Sequence, residues 1–340
     1  MRFLPPKAKW EPDPLSPFTG RGERSREVST SREKALSKHM PMKLLRRLAL
    51  PLLSLIFGAS CAGAQEASSV IPLTLTQGDN GAGRIYLPVR FSNALGTMRL
   101  DTGASTSRIA LAPWNKDLPA LAQSNSTGAS GRTTRCDDVE AQRVELKASQ
   151  GNNIARAKYL VTRCAANDGD DLLGLDFFKG ARFSLDFDKS EMTFFGAAPT
   201  SDRAKPFRLL GPEKRLVGID LRIGNATVSG LFDTGAEVSA VDQQFVVKNK
   251  KLFTLVKKKS KASEAGGRQF TSRLYKASEL DLGDGRIVRG VLVLVYDFGP
   301  LRDALGRGTP FILGYNLLSR FNWELDFKSP DAPTWNAKPR

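Results

Sequence analysis

Two stretches of the chain alternate apolar and polar residues. They run over Ile85–Phe91 and Val217–Ile223, and each is followed by residues with strong turn preference. Such alternation is typical of half-buried β-strands. A second apolar run follows each turn, Thr97–Leu100 in the first case and Val228–Phe232 in the second. The pattern predicts one strand–turn–strand unit in each half of the chain.

Helical periodicity is scarce elsewhere. Ala141–Lys147 fits a helix or a strand equally well, and Leu317–Arg320 fits a short helical turn. Arg286–Tyr296 is instead a long β-branched run that follows a Gly-Asp-Gly turn. We therefore expect a mostly β protein.

The two strand–turn–strand units belong to a longer internal repeat. The chain from Ile85 aligns without gaps with the chain from Val217, at an offset of 132 positions. Four consecutive residues, Asp-Thr-Gly-Ala, are identical in both copies. A second pair of matching blocks, Leu172–Phe187 and Ile312–Phe327, follows at an offset of 140. Two colinear matches indicate a duplication with two similar lobes.

The duplicated Asp-Thr-Gly-Ala segments are the candidate catalytic residues. A single copy is weak evidence, because Asp and Gly are common in ordinary turns. If the lobes pack about a pseudo-twofold axis, however, Asp101 faces Asp233. Two adjacent carboxyl groups hold one proton between them, so one acts as a general base on water and the other as a general acid. This arrangement predicts amide hydrolysis.

The repeated motifs resemble those of the retropepsin and pepsin superfamily of aspartic peptidases. They are LDTGA at Leu100–Ala104, FDTGA at Phe232–Ala236, LLGLD at Leu172–Asp176 and ILGYN at Ile312–Asn316. The resemblance covers both halves and is closer to retropepsins, which are usually homodimers of one lobe. It implies two β-barrel lobes related by a pseudo-twofold axis, with the active site at their interface.

The same resemblance implies roles for the residues around the aspartates. Thr102 and Thr234 are expected to cross-link the two loops by hydrogen bonds. Gly103 and Gly235 let the backbones approach closely. β-Hairpin flaps are expected at 127–135 and 265–273, with plain surface loops as the alternative. The candidate flap glycines are Gly128, Gly131, Gly266 and Gly267.

Some residues depart from the family pattern. Asn316 stands where Asp176 stands in the first copy, and Glu237 adds a carboxylate after the second motif. Ala104 and Ala236 offer no hydroxyl to the neighbouring carboxylates. One hydrogen bond fewer to the charged form raises the pKa of the aspartate pair, so we expect activity nearer to neutral pH than that of pepsin.

An apolar run near the start indicates export. Residues 44–57 read LLRRLALPLLSLIF, with basic residues at the front and Ala62-Gly63-Ala64 behind. The pattern predicts a signal peptide over 42–64, because the run is short for a membrane span. An uncleaved membrane anchor is the alternative. We predict that residues 1–41 form a disordered extension, with a true start of translation at Met42 or Met40 as our hypothesis, and we expect lobes over 65–200 and 201–340.

Histidine and cysteine content narrows the chemistry. The single histidine, His39, precedes the predicted cleavage site, so the mature chain has no residue for a Ser-His-Asp mechanism or a histidine zinc site. We expect neither cofactor nor metal. Cys136 and Cys164 are predicted to form a disulfide in an oxidising compartment, with two free buried thiols as the alternative.

The chain is strongly basic, with a net charge of +16. The densest run, Lys248 to Lys261, is interpreted as a solvated surface segment. Nucleic-acid binding is the alternative, but no RNP, zinc-finger or helix-turn-helix signature accompanies the charge.

The expected function is that of an exported, periplasmic or secreted aspartic endopeptidase. A catalytically silent binding or regulatory protein of the cell envelope is the alternative. We expect a protein or peptide substrate, no nucleic-acid partner, no stable membrane insertion after signal cleavage, and a monomer that contains an internal pseudo-dimer.

Overall fold

The strands form where alternation predicts them, and they make up most of the residues that the structure describes. In the computed structural model the described residues are 11–12, 68–128, 133–165, 169–196, 203–263, 269–306 and 308–340. The strands are β1 (Glu11–Pro12), β2 (Ser69–Pro72), β3 (Thr74–Gln77), β4 (Gly83–Phe91), β5 (Ala94–Leu100), β6 (Arg108–Ala110), β7 (Ala120–Thr127), β8 (Thr133–Leu146), β9 (Ile154–Cys164), β10 (Leu172–Leu173), β11 (Arg182–Asp186), β12 (Glu191–Phe195), β13 (Lys205–Pro206), β14 (Arg208–Leu210), β15 (Leu216–Ile223), β16 (Ala226–Phe232), β17 (Ala240–Asp242), β18 (Phe253–Ser263), β19 (Gln269–Ala277), β20 (Leu280–Asp281), β21 (Ile287–Val288), β22 (Leu292–Tyr296), β23 (Phe311–Leu313), β24 (Phe321–Asp326) and β25 (Thr334–Pro339).

Helical structure is limited to short pieces. The α-helices are α1 (Gln243–Lys248), α2 (Pro300–Leu305) and α3 (Tyr315–Leu318), and 3₁₀ turns lie at Asp79–Gly81, Leu175–Phe178 and Lys250–Leu252. None of the helices among the described residues has the length and apolar composition needed to cross a bilayer. The predicted mostly β fold with two similar lobes is confirmed.

The first lobe is built around a closed sheet. Its strands run in the order β1-β5-β10-β6-β9-β8-β4-β3, and β4 also pairs with β5, which closes the ring. β7 pairs with β8 to form a hairpin. In the second lobe the order is β18-β19-β22-β17-β23-β16-β15-β20-β21. There β19 and β20 together take the place of the single long strand β8, so the two lobes repeat one topology.

A third sheet joins the lobes. Its order is β13-β25-β24-β11-β12-β2, with three strands from each half. The junction is the antiparallel pair β11–β24, in which Arg182 lies opposite Asp326 and Leu185 opposite Trp323. Main-chain hydrogen bonds therefore hold the two halves together in one chain.

An aromatic core lies under the joining sheet. Phe232 packs edge-on against Trp323 with ring centroids 4.9 Å apart, and against Phe207 at 5.6 Å. Phe207 in turn stacks on Phe327. Burying each such ring contributes about 2–3 kcal/mol. Because Phe232 immediately precedes Asp233, this core fixes the strand that carries the second candidate aspartate.

The predicted disulfide is confirmed. Cys136 in β8 and Cys164 in β9 are bonded, with their Cα atoms 4.5 Å apart. The two strands are antiparallel neighbours, and the adjacent pair Asp137 and Arg163 lie opposite each other. The bond therefore links strands that already pair through their backbones.

Several local predictions needed the structure. Most of Ala141–Lys147 lies in β8, because the segment pairs with both β9 and β4. The long run Arg286–Tyr296 divides into β21 and β22 around Gly290, where φ is +69°. The short helical turn predicted over Leu317–Arg320 begins two residues earlier, at Tyr315–Leu318.

The predicted N-terminal segments are described only in part. Glu11–Pro12, in the extension predicted to be disordered, pairs with Ala94 and Leu95 of β5. The edge of β5 is free there, because β10 pairs only with its far end at Arg99 and Leu100. The rest of that extension and the predicted signal peptide over 42–64 lie outside the described residues.

Candidate active site

Each candidate aspartate lies directly after a strand. Asp101 follows β5, which runs parallel to β10, and Asp233 follows β16, which runs parallel to β23. The Asp101 amide donates to the carbonyl of Leu173 at 3.0 Å, and the Asp233 amide donates to that of Leu313 at 3.1 Å. The apolar-apolar-Gly segments therefore brace the aspartate loops, as the resemblance implies.

Reciprocal threonine bonds lock the two loops together. The Thr102 amide donates to Thr234 Oγ1 and the Thr234 amide donates to Thr102 Oγ1, both at 3.0 Å. Each hydroxyl also donates across the interface, Thr102 to the carbonyl of Phe232 and Thr234 to that of Leu100. Both threonines are 0% exposed, so these four bonds are shielded from water.

The glycines after the threonines leave the space that the carboxyl groups occupy. A Cβ atom on Gly103 would overlap the carboxyl group of Asp233, and a Cβ atom on Gly235 would overlap that of Asp101. The crossed relation places Asp101 and Asp233 side by side at the interface. The expectation of close backbone approach at both glycines therefore has a direct steric basis.

The surroundings raise the pKa of both aspartates. Burial raises the pKa of Asp101, while the Arg99 cation and hydrogen bonds from Asp233 and the Gly103 amide oppose the rise. Burial and the charge of Asp101 raise the pKa of Asp233 to about 8, against the Arg99 cation and the amides of Gly235 and Ala236. Two carboxyl groups this close cannot both ionise at low cost, so the pair titrates as one coupled unit that shares a proton.

A buried arginine beside the two aspartates was not predicted from the sequence. Arg99, 6% exposed, donates from Nη2 to the carbonyl of Gly235 in the opposite loop. Its guanidinium also lies 3.4 Å from Asp170 and 3.7 Å from Glu237. The only local sign of it in the sequence is a charged residue within the otherwise largely apolar run Thr97–Leu100.

Glu237, expected as an extra carboxylate near the aspartates, is engaged elsewhere. Arg84 contacts it at 2.7 Å and also reaches Asp170 at 3.2 Å. Tyr86 donates its hydroxyl to Asp170 at 3.2 Å. Two arginines and two carboxylates thus form a compact network across the interface, which we call the arginine network: Arg84, Arg99, Asp170 and Glu237.

The residues behind the aspartate loops match in geometry but not in charge. In the second lobe, Asn316 Oδ1 accepts from the Ser239 amide and hydroxyl, and the Ser239 hydroxyl accepts from the Gly314 amide. In the first lobe, Ser107 accepts from Gly174 and donates to Asp176 at 3.0 Å. The departure at Asn316 therefore keeps the acceptor and removes the charge.

In the first lobe the equivalent carboxyl group has one further neighbour. Tyr159 lies 2.6 Å from the hydroxyl of Ser107. Burial raises the pKa of Asp176, against hydrogen bonds from Tyr159 and Ser107.

The described residues at the ends of the two segments predicted as flaps belong to paired strands or directly follow one. β7 pairs with β8 and β18 pairs with β19. Gly128 directly follows β7, whereas Gly131, Gly266 and Gly267 lie outside the described residues. A flap function for these segments stays a prediction.

A surface groove of about 650 Å³ lies on the second lobe, away from the aspartates. Its lining includes Arg208, Asp220, Ser229 and Thr309. Asp220 is already paired with Arg208 at 2.7 Å and with Ser229 at 2.6 Å. Arg208 and Asp220 therefore already pair with each other, and neither offers an unpaired charge to a ligand.

Comparison with protein families finds a match within the second half of the chain. Residues 219–317 match a family model described as aspartyl protease, a range that includes Asp233 and Gly314. This match confirms the predicted resemblance to the aspartic peptidase superfamily. No curated protein sequence matches the chain.

Two solved structures are similar over most of the chain. One is an aspartic proteinase from Irpex lacteus, 16% identical, covering 80% of this chain and 98% of that chain with a TM-score of 0.46. The other is Basic 7S globulin from soybean, 14% identical, covering 80% of this chain and 95% of that chain with a TM-score of 0.45.

Proposed function

We propose that this chain is an aspartic endopeptidase in which Asp101 and Asp233 activate a water molecule. The observation that carries the proposal is the reciprocal threonine lock, which holds two Asp-Thr-Gly loops so close that each glycine faces the opposite carboxyl group. The family match over 219–317 supports a peptidase-type function. The first aspartate loop lies outside that range, and its equivalent geometry supports the same role.

The protonation of the pair defines the chemistry. We assign the shared proton to Asp233, whose pKa is raised to about 8, and Asp101 is then the ionised partner. Asp101 takes a proton from water while the oxygen bonds to the peptide carbonyl carbon, and Asp233 gives its proton to the carbonyl oxygen. The resulting gem-diol collapses as Asp101 gives its proton to the amide nitrogen, one diol hydroxyl returns a proton to Asp233, and the C–N bond breaks to release a carboxylic acid and an amine.

The arginine network gives this reaction its electrostatic setting. The Arg99 cation lowers the pKa of both aspartates against the effect of burial. It therefore favours the state with one negative charge over the fully protonated pair. Arg99 touches the loop carbonyl of Gly235 and acts as a positioning residue.

The most direct test replaces each aspartate separately. Asp101→Asn and Asp233→Asn are each expected to lower cleavage of a broad peptide library by at least about 1,000-fold, since each removes one partner of the acid–base pair. Asp331→Asn, at an exposed aspartate, is the matched control and should cleave like the wild type. Melting temperatures would verify that all variants fold.

The outcomes separate the candidate functions. Loss of cleavage in both variants, with inhibition of the wild type by pepstatin, supports a single-chain aspartic peptidase. Cleavage that survives either substitution contradicts the mechanism. A folded wild type that cleaves nothing in the library favours the alternative, a binding or regulatory protein with this fold.

Export is the second part of the proposal. The Cys136–Cys164 disulfide supports it, because such bonds persist in oxidising compartments such as the periplasm and the extracellular space. We infer a cleaved signal peptide over 42–64, with translation beginning at Met42 or Met40, so that strand β1 would be absent from the mature protein. N-terminal sequencing of protein recovered from the envelope or medium should give Gln65 as the first residue. A mature protein that retains residues 1–41 would contradict this.

A further inference from the structure

One edge of the second lobe concentrates positive charge. Between residues 243 and 263 the chain has seven lysines, no arginine and no acidic residue, and all seven lysines are exposed. We call this set the lysine edge: Lys248, Lys250, Lys251, Lys257, Lys258, Lys259 and Lys261. No ion pair is recorded for any of these lysines within the described part of the chain.

The backbone spreads these side chains outward. β18 is the outermost strand of its sheet and pairs only with β19. Its register slips between Leu255 and Lys257 and again between Lys257 and Ser260. Each slip inserts an extra residue into β18, which interrupts the regular alternation of faces. Six consecutive residues, 254–259, are therefore exposed.

Exposed apolar side chains lie among the lysines. Val247 is 56% exposed, Leu255 43% and Val256 53%. Leu255 and Val256 directly precede Lys257, and Val247 directly precedes Lys248. Apolar and cationic side chains together are the combination found on surfaces that contact a lipid bilayer.

Protection of a sheet edge does not account for this charge. Lysines on edge strands do prevent unwanted strand pairing. However, β7 is the equivalent outer strand of the first lobe and also pairs with a single neighbour, β8. Its sequence, ALAQSNST, has no charged residue. The same fold thus tolerates an uncharged edge at the matching position, so the lysines of β18 call for another explanation.

We propose that the lysine edge binds the surface of an anionic phospholipid bilayer. Lysine carries a compact, strongly hydrated charge on a flexible stem, which suits a surface of many phosphate headgroups. Specific phosphate sites instead favour the planar fork of arginine. Val247, Leu255 and Val256 add apolar contact with the interface. The attachment is peripheral, and it needs no spanning segment.

Nucleic acid fits this surface less well. Proteins that hold single strands stack bases on exposed aromatic side chains. The aromatic residues of this segment, Phe245 and Phe253, instead pack against Phe311 in the core. Phe253 is 8% exposed. The segment therefore offers charge without a stacking platform.

The inference goes beyond the proposed peptidase function and does not depend on it. Membrane association is measured without any substrate, so an inactive chain would still bind. Conversely, a chain that cleaves peptides and ignores bilayers would leave the mechanism intact and overturn only this proposal.

A site-resolved footprint is the first test. The full chain would be treated with an amine-acetylating reagent alone, with phosphatidylcholine vesicles, and with equimolar phosphatidylcholine–phosphatidylglycerol vesicles. We expect acetylation at Lys257, Lys258 and Lys259 to slow by about fivefold or more with the anionic vesicles only. Lys116, Lys179 and Lys189, exposed lysines of the first lobe, should react at unchanged rates. Protection confined to the lysine edge would show that the vesicles contact this surface, and that binding through the apolar run at 44–57 does not explain the result.

Vesicle flotation with charge-matched variants is the second test. A fourfold variant, Lys257→Gln, Lys258→Gln, Lys259→Gln and Lys261→Gln, should lose about 100-fold or more of its partition onto anionic vesicles at low salt. The control removes the same charge at Lys116, Lys158, Lys179 and Lys189 and should lose at most about fivefold.

The opposite results would overturn the proposal. Equal protection of the lysines of both lobes would show attraction by net charge alone. Equal losses in the two fourfold variants would have the same meaning. Protection of the lysine edge by RNA or DNA, with none by vesicles, would assign the surface to nucleic acid.

Discussion

The two halves of the site share their hydrogen bonds and differ in their charges. The threonine lock and the glycine contacts occur in both directions. The arginine network, in contrast, has no equivalent in the second half. The repeat places Leu231 at the position of Arg99 and Leu216 at the position of Arg84. Leu231 lies in the apolar core at 3% exposure. The backbone architecture is thus symmetric, whereas the electrostatic field on the two aspartates comes from one side.

This difference bears on the proposed mechanism. A symmetric pair of carboxyl groups has no preferred proton position, but a one-sided field and unequal amide contacts distinguish the two. Asp233 accepts from two loop amides, and its pKa is nonetheless raised to about 8 by burial and the charge of Asp101. The duplication supplies the pair, and the divergence between the copies makes the surroundings of the two carboxyl groups unequal.

The largest expected effect concerns the glycine contacts, which occur in both directions across the interface. Gly103→Ala and Gly235→Ala each place a methyl group against the opposite carboxyl group, so each should lower peptide cleavage by about 100-fold or more. Gly308→Ala is the control, since a Cβ atom there meets no atom within 4 Å. Initial rates on one peptide would measure the effect. Normal activity in either loop variant would contradict the crossed glycine contacts.

The next largest expected effect concerns Arg99, whose charge has no equivalent in the second half. Arg99→Leu copies the residue of the second half and leaves Asp170 and Glu237 with Arg84 alone. Loss of the cation raises the pKa of both aspartates, so both limbs of the pH–activity profile should move to higher pH. The free energy of unfolding should fall by about 2–3 kcal/mol, because the Gly235 carbonyl loses a charged hydrogen-bond donor while Asp170 and Glu237 keep Arg84 as a partner.

Arg99→Lys provides the control for that comparison. It keeps the positive charge and loses the planar fork, so the limbs of the profile should stay near those of the wild type while stability falls. A pH–activity profile from pH 4 to 9 for the wild type and both variants would distinguish the effect of the charge from that of the hydrogen bonds. Unchanged limbs in Arg99→Leu would show that Arg99 acts only as a structural brace.

A smaller effect probes the threonine lock. Thr102→Val and Thr234→Val each leave the opposite buried amide without its acceptor, so each should lower the free energy of unfolding by about 1–3 kcal/mol. Thr→Ser at the same positions keeps the hydroxyl and should recover most of that loss. Urea unfolding would measure both. Clearly unequal losses at 102 and 234 would contradict the equivalence of the two loops.

The smallest effect concerns the support behind the loops. Asp176→Asn copies Asn316 of the second half and should keep the fold. Burial raises the pKa of Asp176, so the folded state holds that proton more tightly than the unfolded state does, and stability decreases as pH rises above about 4. The variant lacks that decrease and should therefore be more stable than the wild type at pH 7, as urea unfolding at that pH would measure. A loss of stability there would mean that the charged form is required.

Much of the site was predictable because the chain repeats itself. Asp101 and Asp233 stand out through the identical Asp-Thr-Gly-Ala segments, and the disulfide through the two cysteines behind the predicted leader. The order of strands in the joining sheet was not predictable, because β11 and β24 pair across more than a hundred residues. The strand identity of Ala141–Lys147 also depended on tertiary pairing, since its local pattern fits both structures.

The sequence by itself determined the elements that local pattern and repetition encode. These are the strand–turn–strand units, the paired aspartates, and the threonines and glycines beside them. The tertiary structure alone decided the partners of the charged residues. Arg84 and Glu237 lie 153 positions apart, and neither carries a local sign of the other. Charge pairing depends on distance in space, which a linear sequence does not contain, so the field around the aspartates emerges only once the two lobes have packed.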